Sequence, residues 1–432
     1  MESYWQKTAS LPQFPRAEGE LHTDVLVIGG GLAGLLTAFM LQQKGVRVTV
    51  AEKGRIFSGE SGKTTAKITY QHGLVYHRIA KRLSVEAAKQ YLEANRAAFE
   101  AYKELCAEMD CDYAVKDNFV YTVDDPVALE KEMTVLQKMG FSARFCQSLA
   151  LPIPTAGAVC FPDQAQFHPV KFIADIARRL DIREHTFVRA MEGKTAVTDN
   201  GKIYADKVVV ASHFPFINNH GAFFLKLYQH RSYVLALKNA QNVGGMYVDD
   251  SKKGLSFRNQ GDLLLLGGGD HRTGKKGGNW NELLQFAQTH YPAAAEQCRW
   301  AAQDCMSLDE MPYIGRYAKR TPHLYVASGF NKWGVTGSMT AAMILKDLVL
   351  DQKNEYATLF SPARSMLTPQ LFLNGLESVV GLLTPTVKRC PHLGCALHWN
   401  NAERSWDCSC HGSRFSENGK LLDNPANGNL KE

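Results

Sequence analysis

The C-terminal part of the chain carries a pattern of cysteine and histidine residues that is typical of a metal centre. CPHLGC at 390–395 is followed by CSCHGS at 408–413, and the core of the pattern is C-x-H, fifteen residues, then C-x-x-H. Two thiolates and two imidazoles on paired loops can hold a [2Fe–2S] cluster, with the sulfurs on one iron and the nitrogens on the other. The same four groups can hold a tetrahedral zinc ion. The residues alone therefore predict a metal site and leave both metals open.

A second stretch, VLVIGGGLAGLLTAFMLQQKGVRVTVAE at 25–52, has the residue types needed to bind a dinucleotide. An apolar run leads into Gly29, Gly31 and Gly34 at G-x-G-x-x-G spacing, and a helix and a second strand follow. The first glycine permits a tight turn, the second admits a pyrophosphate and the third allows close packing of helix on strand. The helix N-terminus favours phosphate binding. Glu52 stands where a carboxylate accepts from ribose hydroxyls, which argues against a 2′-phosphate.

The elements that must position these residues alternate between α/β and antiparallel patterns. The order of βαβ, helices, strands, a hairpin at 259–262 and further α/β predicts a dinucleotide-binding domain interrupted by an inserted domain. The loop at 56–73 is rich in Ser, Thr and Gly and suits a segment that wraps a ligand. We expect residues 1–20 to form a surface arm. We expect the amphipathic helix at 371–383 to dock on the main body in preference to a membrane surface.

Composition narrows the class of partner. The chain has 432 residues, a net charge of +6 and no Lys/Arg cluster, which makes nucleic acid an unfavoured partner. The first residues are polar, no apolar run has the length of a membrane span, and we expect a cytoplasmic protein. Six of the ten cysteines are scattered singly and are expected to be reduced and buried.

From about Thr23 to Leu350 the chain resembles the FAD-dependent D-amino-acid oxidase and glycine oxidase family. The resemblance rests on VIGGGLAGLLTA with Glu52, and on GKTTAKITYQHG, KVVVAS, LDEMPYIGR and VASGFNKWGVTGS. It implies a Rossmann-like FAD/NAD(P)-binding α/β domain with an inserted antiparallel β substrate domain, of the glutathione-reductase-2 type. It also implies hydride transfer from a carbon–nitrogen bond to FAD. The implied cofactor-binding residues are Gly29, Gly31, Leu32, Ala33, Gly34, Glu52, Lys53, Ser61, Thr64, Thr65, Val188, Ala211, Gly329, Lys332, Trp333, Gly334, Val335 and Thr336.

The chain departs from this family where a substrate carboxylate is usually bound. Ala66-Lys67-Ile68 stands where family members often have an arginine, and Asp304-Cys305 replaces the usual Arg-Pro. An amine without an α-carboxylate is therefore a plausible substrate. The candidate catalytic residues in the pocket are His72, Arg231, Tyr233 and His271.

The C-terminal pattern closely resembles the two boxes of Rieske proteins. The match implies that Cys390 and Cys408 bind one iron of a [2Fe–2S] cluster, and His392 and His411 the other. It also implies a disulfide between Cys395 and Cys410. The high-potential respiratory members have a tyrosine two residues after the serine of the second box, where this chain has Phe415. Because a hydrogen-bond donor near the sulfurs is lost, we expect a lower reduction potential than in those members.

These expectations combine into one hypothesis with two alternatives. The predicted parts are an arm at 1–20, an FAD-binding domain at 21–80, 150–225 and 311–350, a substrate domain at 81–149 and 226–310, a linker at 351–375 and a small Rieske β subdomain at 376–432. The flavin would oxidise an amine or amino acid, and the cluster would carry single electrons to an external acceptor. One alternative is a reductase in which electrons flow in the opposite direction to a carbonyl, imine or quinone. The other is a zinc-stapled flavoprotein without catalytic activity.

Overall fold

The computed structural model describes residues 1–251 and 254–430. Its strands are, in chain order, β1 (Gly19–Ile28), β2 (Val48–Ala51), β3 (Lys67–Ile68), β4 (Ala114–Thr122), β5 (Arg144–Cys146), β6 (Gly157–Gln166), β7 (Asp181–Arg183), β8 (Val188–Glu192), β9 (Thr195–Thr198), β10 (Gly201–Val210), β11 (Leu227–Lys238), β12 (Met246–Asp249), β13 (Ser256–Gln260), β14 (Leu263–Arg272), β15 (Ala295–Ser307), β16 (Tyr313–Arg316), β17 (Leu324–Ser328), β18 (Leu397–Asn400), β19 (Ser405–Cys408), β20 (Arg414–Ser416) and β21 (Leu421–Asp423). Its helices are α1 (Tyr4–Thr8), α2 (Leu32–Gln42), α3 (Val75–Arg82), α4 (Val85–Ala107), α5 (Pro126–Lys138), α6 (Pro169–Ala177), α7 (Phe223–Lys226), α8 (Trp280–His290), α9 (Gly334–Val349), α10 (Ala357–Phe360) and α11 (Pro369–Leu383).

The first sheet is the predicted dinucleotide-binding layer. Its strand order is β16-β17-β10-β1-β2-β7, and the hairpin of β8 and β9 extends it from β10. Strand β1 pairs in parallel with β10 and β2, and β17 pairs in parallel with β10. The apolar run at 25–28 is buried, as a central parallel strand covered on both faces requires. The strand–loop–helix units β1–α2 and β17–α9 lie side by side, because α2 packs against α9.

The second sheet is largely antiparallel and has nine strands in the order β15-β11-β14-β13-β12-β4-β6-β3, with β5 on β6. The hairpin predicted at 259–262 joins β13 to β14. Strand β6 pairs with β4 in this sheet, although our predicted boundaries placed it in the FAD-binding part. A small third sheet, β18-β19-β20-β21, follows α11 and carries the metal-site pattern. Within residues 1–251 and 254–430, no helix has both the length and the apolar character needed to cross a membrane.

Most residues of the N-terminal arm at 1–20 are exposed or half-buried, but one buried side chain anchors the arm. Trp5 is completely buried, its indole N–H donates to the Thr64 carbonyl at 2.7 Å, and the Arg258 guanidinium lies 5.2 Å from its ring centroid. One large aromatic side chain can anchor an otherwise polar segment, because its burial removes much apolar surface from water. The arm therefore fixes the loop that contains Thr64.

Candidate active site and metal centre

The glycine loop between β1 and α2 has the backbone geometry that the sequence predicted. Gly29 has φ +116°, and a Cβ there would collide with the Ala211 carbonyl. A Cβ on Gly34 would collide with the Gly29 carbonyl, so helix and strand approach closely only because this residue is glycine. A Cβ on Gly31 would lie 2.8 Å from Ser61 Oγ. A side chain at any of the three positions would therefore collide with neighbouring atoms, so the loop keeps this conformation only with glycine.

Two predicted cofactor-binding residues contact this loop directly. The Glu52 carboxylate accepts from the backbone N–H groups of Gly30 at 2.7 Å and Gly54 at 2.9 Å. Ser61 Oγ accepts from the backbone N–H of Leu32 at 2.9 Å, at the first turn of α2. A carboxylate and a helix N-terminus placed together suit the ribose and pyrophosphate of a dinucleotide.

The loop opens into a cavity of about 900 Å³ that runs between the first two sheets. This volume lies near the upper end of the usual range for ligand sites, which fits a large cofactor together with a substrate. Gly34 and Gly329 are not among the residues that line the cavity. The other predicted cofactor-binding residues line it: Gly29, Gly31, Leu32, Ala33, Glu52, Lys53, Ser61, Thr64, Thr65, Val188, Ala211, Lys332, Trp333, Gly334, Val335 and Thr336.

The two predicted catalytic histidines do not behave alike. His72 lines the cavity and stacks on Trp333, with ring centroids 5.0 Å apart. Its ring nitrogens bond to the Tyr91 hydroxyl and the Thr69 carbonyl, so both already have hydrogen-bond partners. Burial lowers the pKa of His72 to about 3, so the ring is neutral near pH 7. His271 is not among the cavity-lining residues and stacks on Tyr233 instead. The ring also lies against Gly277, and the catalytic role of His271 stays a prediction.

Arg231 lines the cavity, but its guanidinium is engaged by the C-terminal domain. The side chain is 1 % exposed. Its Nε donates to Glu403 Oε1 at 2.9 Å, and its Nη2 donates to Glu403 Oε2. Arg414 Nη2 lies 2.9 Å from the same carboxylate. Of the Arg231 nitrogens, only Nη1 has no partner among the residues that the structure describes. The predicted catalytic Tyr233 is also buried at the cavity wall.

The even-numbered positions of β11 face acidic groups that were not predicted as site residues. His230 Nδ1 lies 2.9 Å from Asp270, which also pairs with Lys332 at 2.8 Å. Ser232 Oγ donates to Asp304 at 3.5 Å. In the described ranges this is the only polar side-chain contact of Asp304, and it has no salt bridge. Burial raises the pKa of Asp304 to about 6, even though Lys332 opposes the shift. Burial also lowers the pKa of the cavity residue Lys67 to about 7.

The four predicted metal ligands converge in the C-terminal domain. Cys390, Cys408 and His411 are buried, and His392 is half-buried. The two imidazole rings are nearly perpendicular, with centroids 4.9 Å apart. Both Nδ1 atoms are buried without a hydrogen-bond partner within the described residues. Orphaned buried nitrogens are costly unless they have another partner, such as a metal. Two free thiols and two such nitrogens fit a [2Fe–2S] cluster of Rieske type.

The loops around this centre are closed as the resemblance implied. Cys395 and Cys410 form a disulfide. A hydrogen bond from Cys390 lowers the pKa of the Cys408 thiol, and backbone N–H groups at 410–412 assist despite the opposing effect of burial. Phe415 is fully buried in the same core. Thiolate character at Cys408 suits a metal ligand.

Two glutamines of the second sheet bind the cluster loop and were not predicted. Gln229 Nε2 donates to the His411 carbonyl at 2.7 Å, and its Oε1 lies 2.9 Å from Nε2 of the cavity-lining His213. Gln303 Nε2 donates to the Gly412 carbonyl at 2.8 Å and to Gln229 Oε1 at 2.6 Å. Their strand neighbours are His230, which pairs with Asp270, and Asp304, which accepts from Ser232. Strands β11 and β15 therefore contact both the cavity and the cluster loop, and Gln303 contacts both of them.

The family comparisons agree with both sites. A model described as "FAD dependent oxidoreductase" matches residues 24–348, and one described as "Rieske [2Fe-2S] domain" matches residues 379–432. The chain belongs to the FAD-dependent oxidoreductase family and carries a C-terminal Rieske domain. The predicted fold class, FAD and the [2Fe–2S] cluster are thereby confirmed, and the cluster is favoured over zinc.

Individual relatives give the same outline. The chain is 29% identical to a "Putative Rieske 2Fe-2S iron-sulfur protein YhfW" of Bacillus subtilis strain 168, covering 100% of this chain and 97% of the relative. Glycine oxidase from Geobacillus kaustophilus matches with a TM-score of 0.68 at 20% identity, covering 80% of this chain and 100% of that one. L-proline dehydrogenase from P. horikoshii matches with a TM-score of 0.67 at 17% identity, covering 80% and 98%. At these identities the two solved structures show the fold alone.

Proposed function

We propose that the chain is an FAD-dependent dehydrogenase that oxidises the C–N bond of an amine and passes the electrons through its Rieske cluster to an external acceptor. The observation that carries this proposal is the direct hydrogen bonding of Gln229 and Gln303 between the cavity wall and the carbonyl groups of His411 and Gly412. When bound, FAD would accept a hydride and the cluster would accept one electron at a time. An oxidase that reduced oxygen at the flavin would have no need for this connection.

The charges in the cavity favour a cationic substrate group over an α-carboxylate. Asp304 stands where related enzymes usually have an arginine, and it has no salt bridge among the described residues. Arg231 already has Glu403 as its counter-ion. Ammonium groups are held by unpaired carboxylates in a poorly solvated pocket, whereas a substrate carboxylate there would meet like charge. We therefore assign Asp304 to binding the substrate ammonium.

Other residues of the chain would orient the reactants and exclude water. Asp270 pairs with both Lys332 and His230 and thereby holds the Lys332 side chain in place. The stacked pair of His72 and Trp333 forms a rigid apolar surface at the cavity wall. Lys67, with its pKa near 7, can exchange a proton at Nζ close to neutral pH.

Amine and amino-acid pairs that differ only by the carboxylate test this function. Ethylamine with alanine, pyrrolidine with proline, and benzylamine with phenylglycine would each be mixed with holoenzyme under anaerobic conditions. We expect an amine to bleach the flavin absorbance without added reductant, and the EPR signal of the reduced cluster to follow. Bleaching by amino acids in preference to their amines would contradict the role of Asp304. Cluster reduction that never follows flavin bleaching would contradict the relay.

A further inference from the structure

Helix α11 packs its polar side against the protein and turns its apolar side outward. The buried residues of the helix are Asn374 and Gly381. Residues three and four apart lie on one face of a helix, so the apolar residues opposite this buried side form one continuous surface. We call this surface the apolar stripe, and its side chains are between 47 and 76 % exposed: Phe372, Leu373, Leu376, Val379, Val380 and Leu383. A helix that merely covered the protein would have the opposite arrangement.

Specific contacts hold the helix in this orientation. Arg272 Nη1 donates to Asn374 Oδ1 at 2.9 Å, and Lys275 pairs with Glu377 at 2.5 Å. A Cβ on Gly381 would lie 2.6 Å from Cys410 Sγ, so the helix backbone lies directly on the disulfide. The Gly381 carbonyl also accepts from the backbone N–H of Ala396 at 2.8 Å. Because these contacts fix the inner side of the helix against the protein, the apolar stripe on the opposite side faces outward.

The apolar stripe continues to the loop that carries a metal ligand. Arg389 Nη1 donates to the carbonyl groups of Leu382 at 3.1 Å and Gly394 at 2.9 Å, which joins the end of the helix to that loop. Leu393, next to the ligand His392, is also exposed. His392 is the half-buried member of the ligand set, so this edge of the metal centre is the one nearest to solvent.

The charges around the apolar stripe are basic. The only charged residue of α11 is Glu377, which lies on the inner side and is paired with Lys275. The exposed Arg389 lies at the C-terminal end of the helix, beside Lys388. An apolar face bordered by cations fits the interface of a bilayer that contains anionic lipids. The helix has 15 residues, and at about 1.5 Å per residue it is too short to span the hydrocarbon core.

We propose that α11 is a membrane-surface anchor that seats the cluster domain on an anionic lipid bilayer, with the apolar stripe inserted among the lipids and the loop of His392 next to the membrane. This docking does not depend on the substrate or on the direction of electron flow. It predicts that the electron partner of the cluster is reached at the membrane surface.

Flotation of the holoenzyme with lipid vesicles tests the proposal. We expect binding to vesicles of phosphatidylglycerol and phosphatidylcholine, at least tenfold weaker binding to phosphatidylcholine alone, and weakening by salt. The triple variant Phe372→Glu, Leu376→Glu and Leu383→Glu should lose at least tenfold of the binding. Val127→Glu, at a position of α5 that is 50 % exposed, is the matched control and should bind like the wild type.

Flavin absorbance and the cluster EPR signal would verify that each variant is folded, which is expected because the altered side chains are exposed. Absence of vesicle binding by the wild type would overturn the proposal. Binding that the triple variant retains would overturn it as well. A dimer in solution that the triple variant abolishes, without vesicle binding, would assign the apolar stripe to a second copy of the chain and would also refute the membrane anchor.

Discussion

The carboxylate of Glu403 in the C-terminal domain is the counter-ion of Arg231, a buried arginine of the second sheet. The variant Glu403→Gln measures how much this ion pair between the two domains contributes to stability. The amide keeps the shape of the side chain but removes its charge. Arg414 keeps its contacts with Asp407 and Asp423, at 3.0 Å each. Arg231 has no second carboxylate partner among the described residues and would become an uncompensated buried cation.

The expected loss follows from this burial. Breaking a buried ion pair from one side costs about 3–5 kcal/mol, a large share of the usual stability of a domain. Urea unfolding of the holoenzyme at neutral pH, followed by tryptophan and flavin fluorescence, should therefore show a free energy of unfolding lower by about that amount. Glu417→Gln is the matched control, because its partner Arg404 and Glu417 itself are exposed, and an exposed pair contributes about 0–1 kcal/mol.

The difference between wild type and Glu403→Gln should depend on pH. Burial by itself would raise the pKa of Glu403, but Arg231 and Arg414 outweigh it and hold the pKa below the ordinary value of 4.5. A depressed folded-state pKa gives stability that is present above the unfolded pKa and is lost as the pH falls below it. Below the unfolded-state pKa of Glu403, the difference in the free energy of unfolding between wild type and variant should shrink by up to about 1.4 kcal/mol per pH unit. A loss under about 1 kcal/mol at neutral pH, or a loss that is constant into acid, would refute the argument.

Three further predictions concern the substrate, the cluster and the cofactor. Because the pKa of Asp304 is about 6, its carboxylate gains its negative charge as the pH rises through 6, and the KM for a cationic amine should fall over that range. Asp304→Asn should raise KM at least tenfold and remove this pH dependence. A KM that stays pH-dependent in the variant would contradict the assignment. Phe415→Tyr places a hydroxyl in the buried core of the metal centre and should raise the cluster potential in an EPR redox titration, which an unchanged potential would disprove. Gly34→Ala should abolish FAD retention on purification, because its methyl group collides with the Gly29 carbonyl, while Gly375→Ala, which meets open space, should retain it.

Local sequence patterns predicted the features that neighbouring residues determine. The glycine loop, the acidic Glu52 and the two cluster boxes are each encoded within a few residues, since turn geometry and ligand spacing are local properties. The resemblance supplied the larger outline from the same short motifs.

The features that the sequence did not predict depend on packing between residues that are far apart in the chain. Gln229 and Gln303 are polar residues in strands without a motif, and only the docking of the C-terminal domain makes them a bridge. Arg231 and Glu403 are 172 residues apart in the chain, so their pairing left no local signal. The polar side of α11 contains Asn374 and Glu377, whose partners lie on β14 and the loop that follows it, and the helical period alone did not show which side would face inward.

The shared use of β11 and β15 means that the C-terminal domain is not a detachable module. The cavity that contains the glycine loop near the beginning of the chain is also lined by Leu422, Asp423, Asn424, Ala426 and Asn427. A ribosome must therefore have passed residue 427 before the cavity wall is complete, and the flavin site reaches its final form only after translation of the cluster loops. Grafting this domain onto another flavoprotein would require a glutamine and an arginine two positions apart on the receiving strand, as Gln229 and Arg231 are on β11.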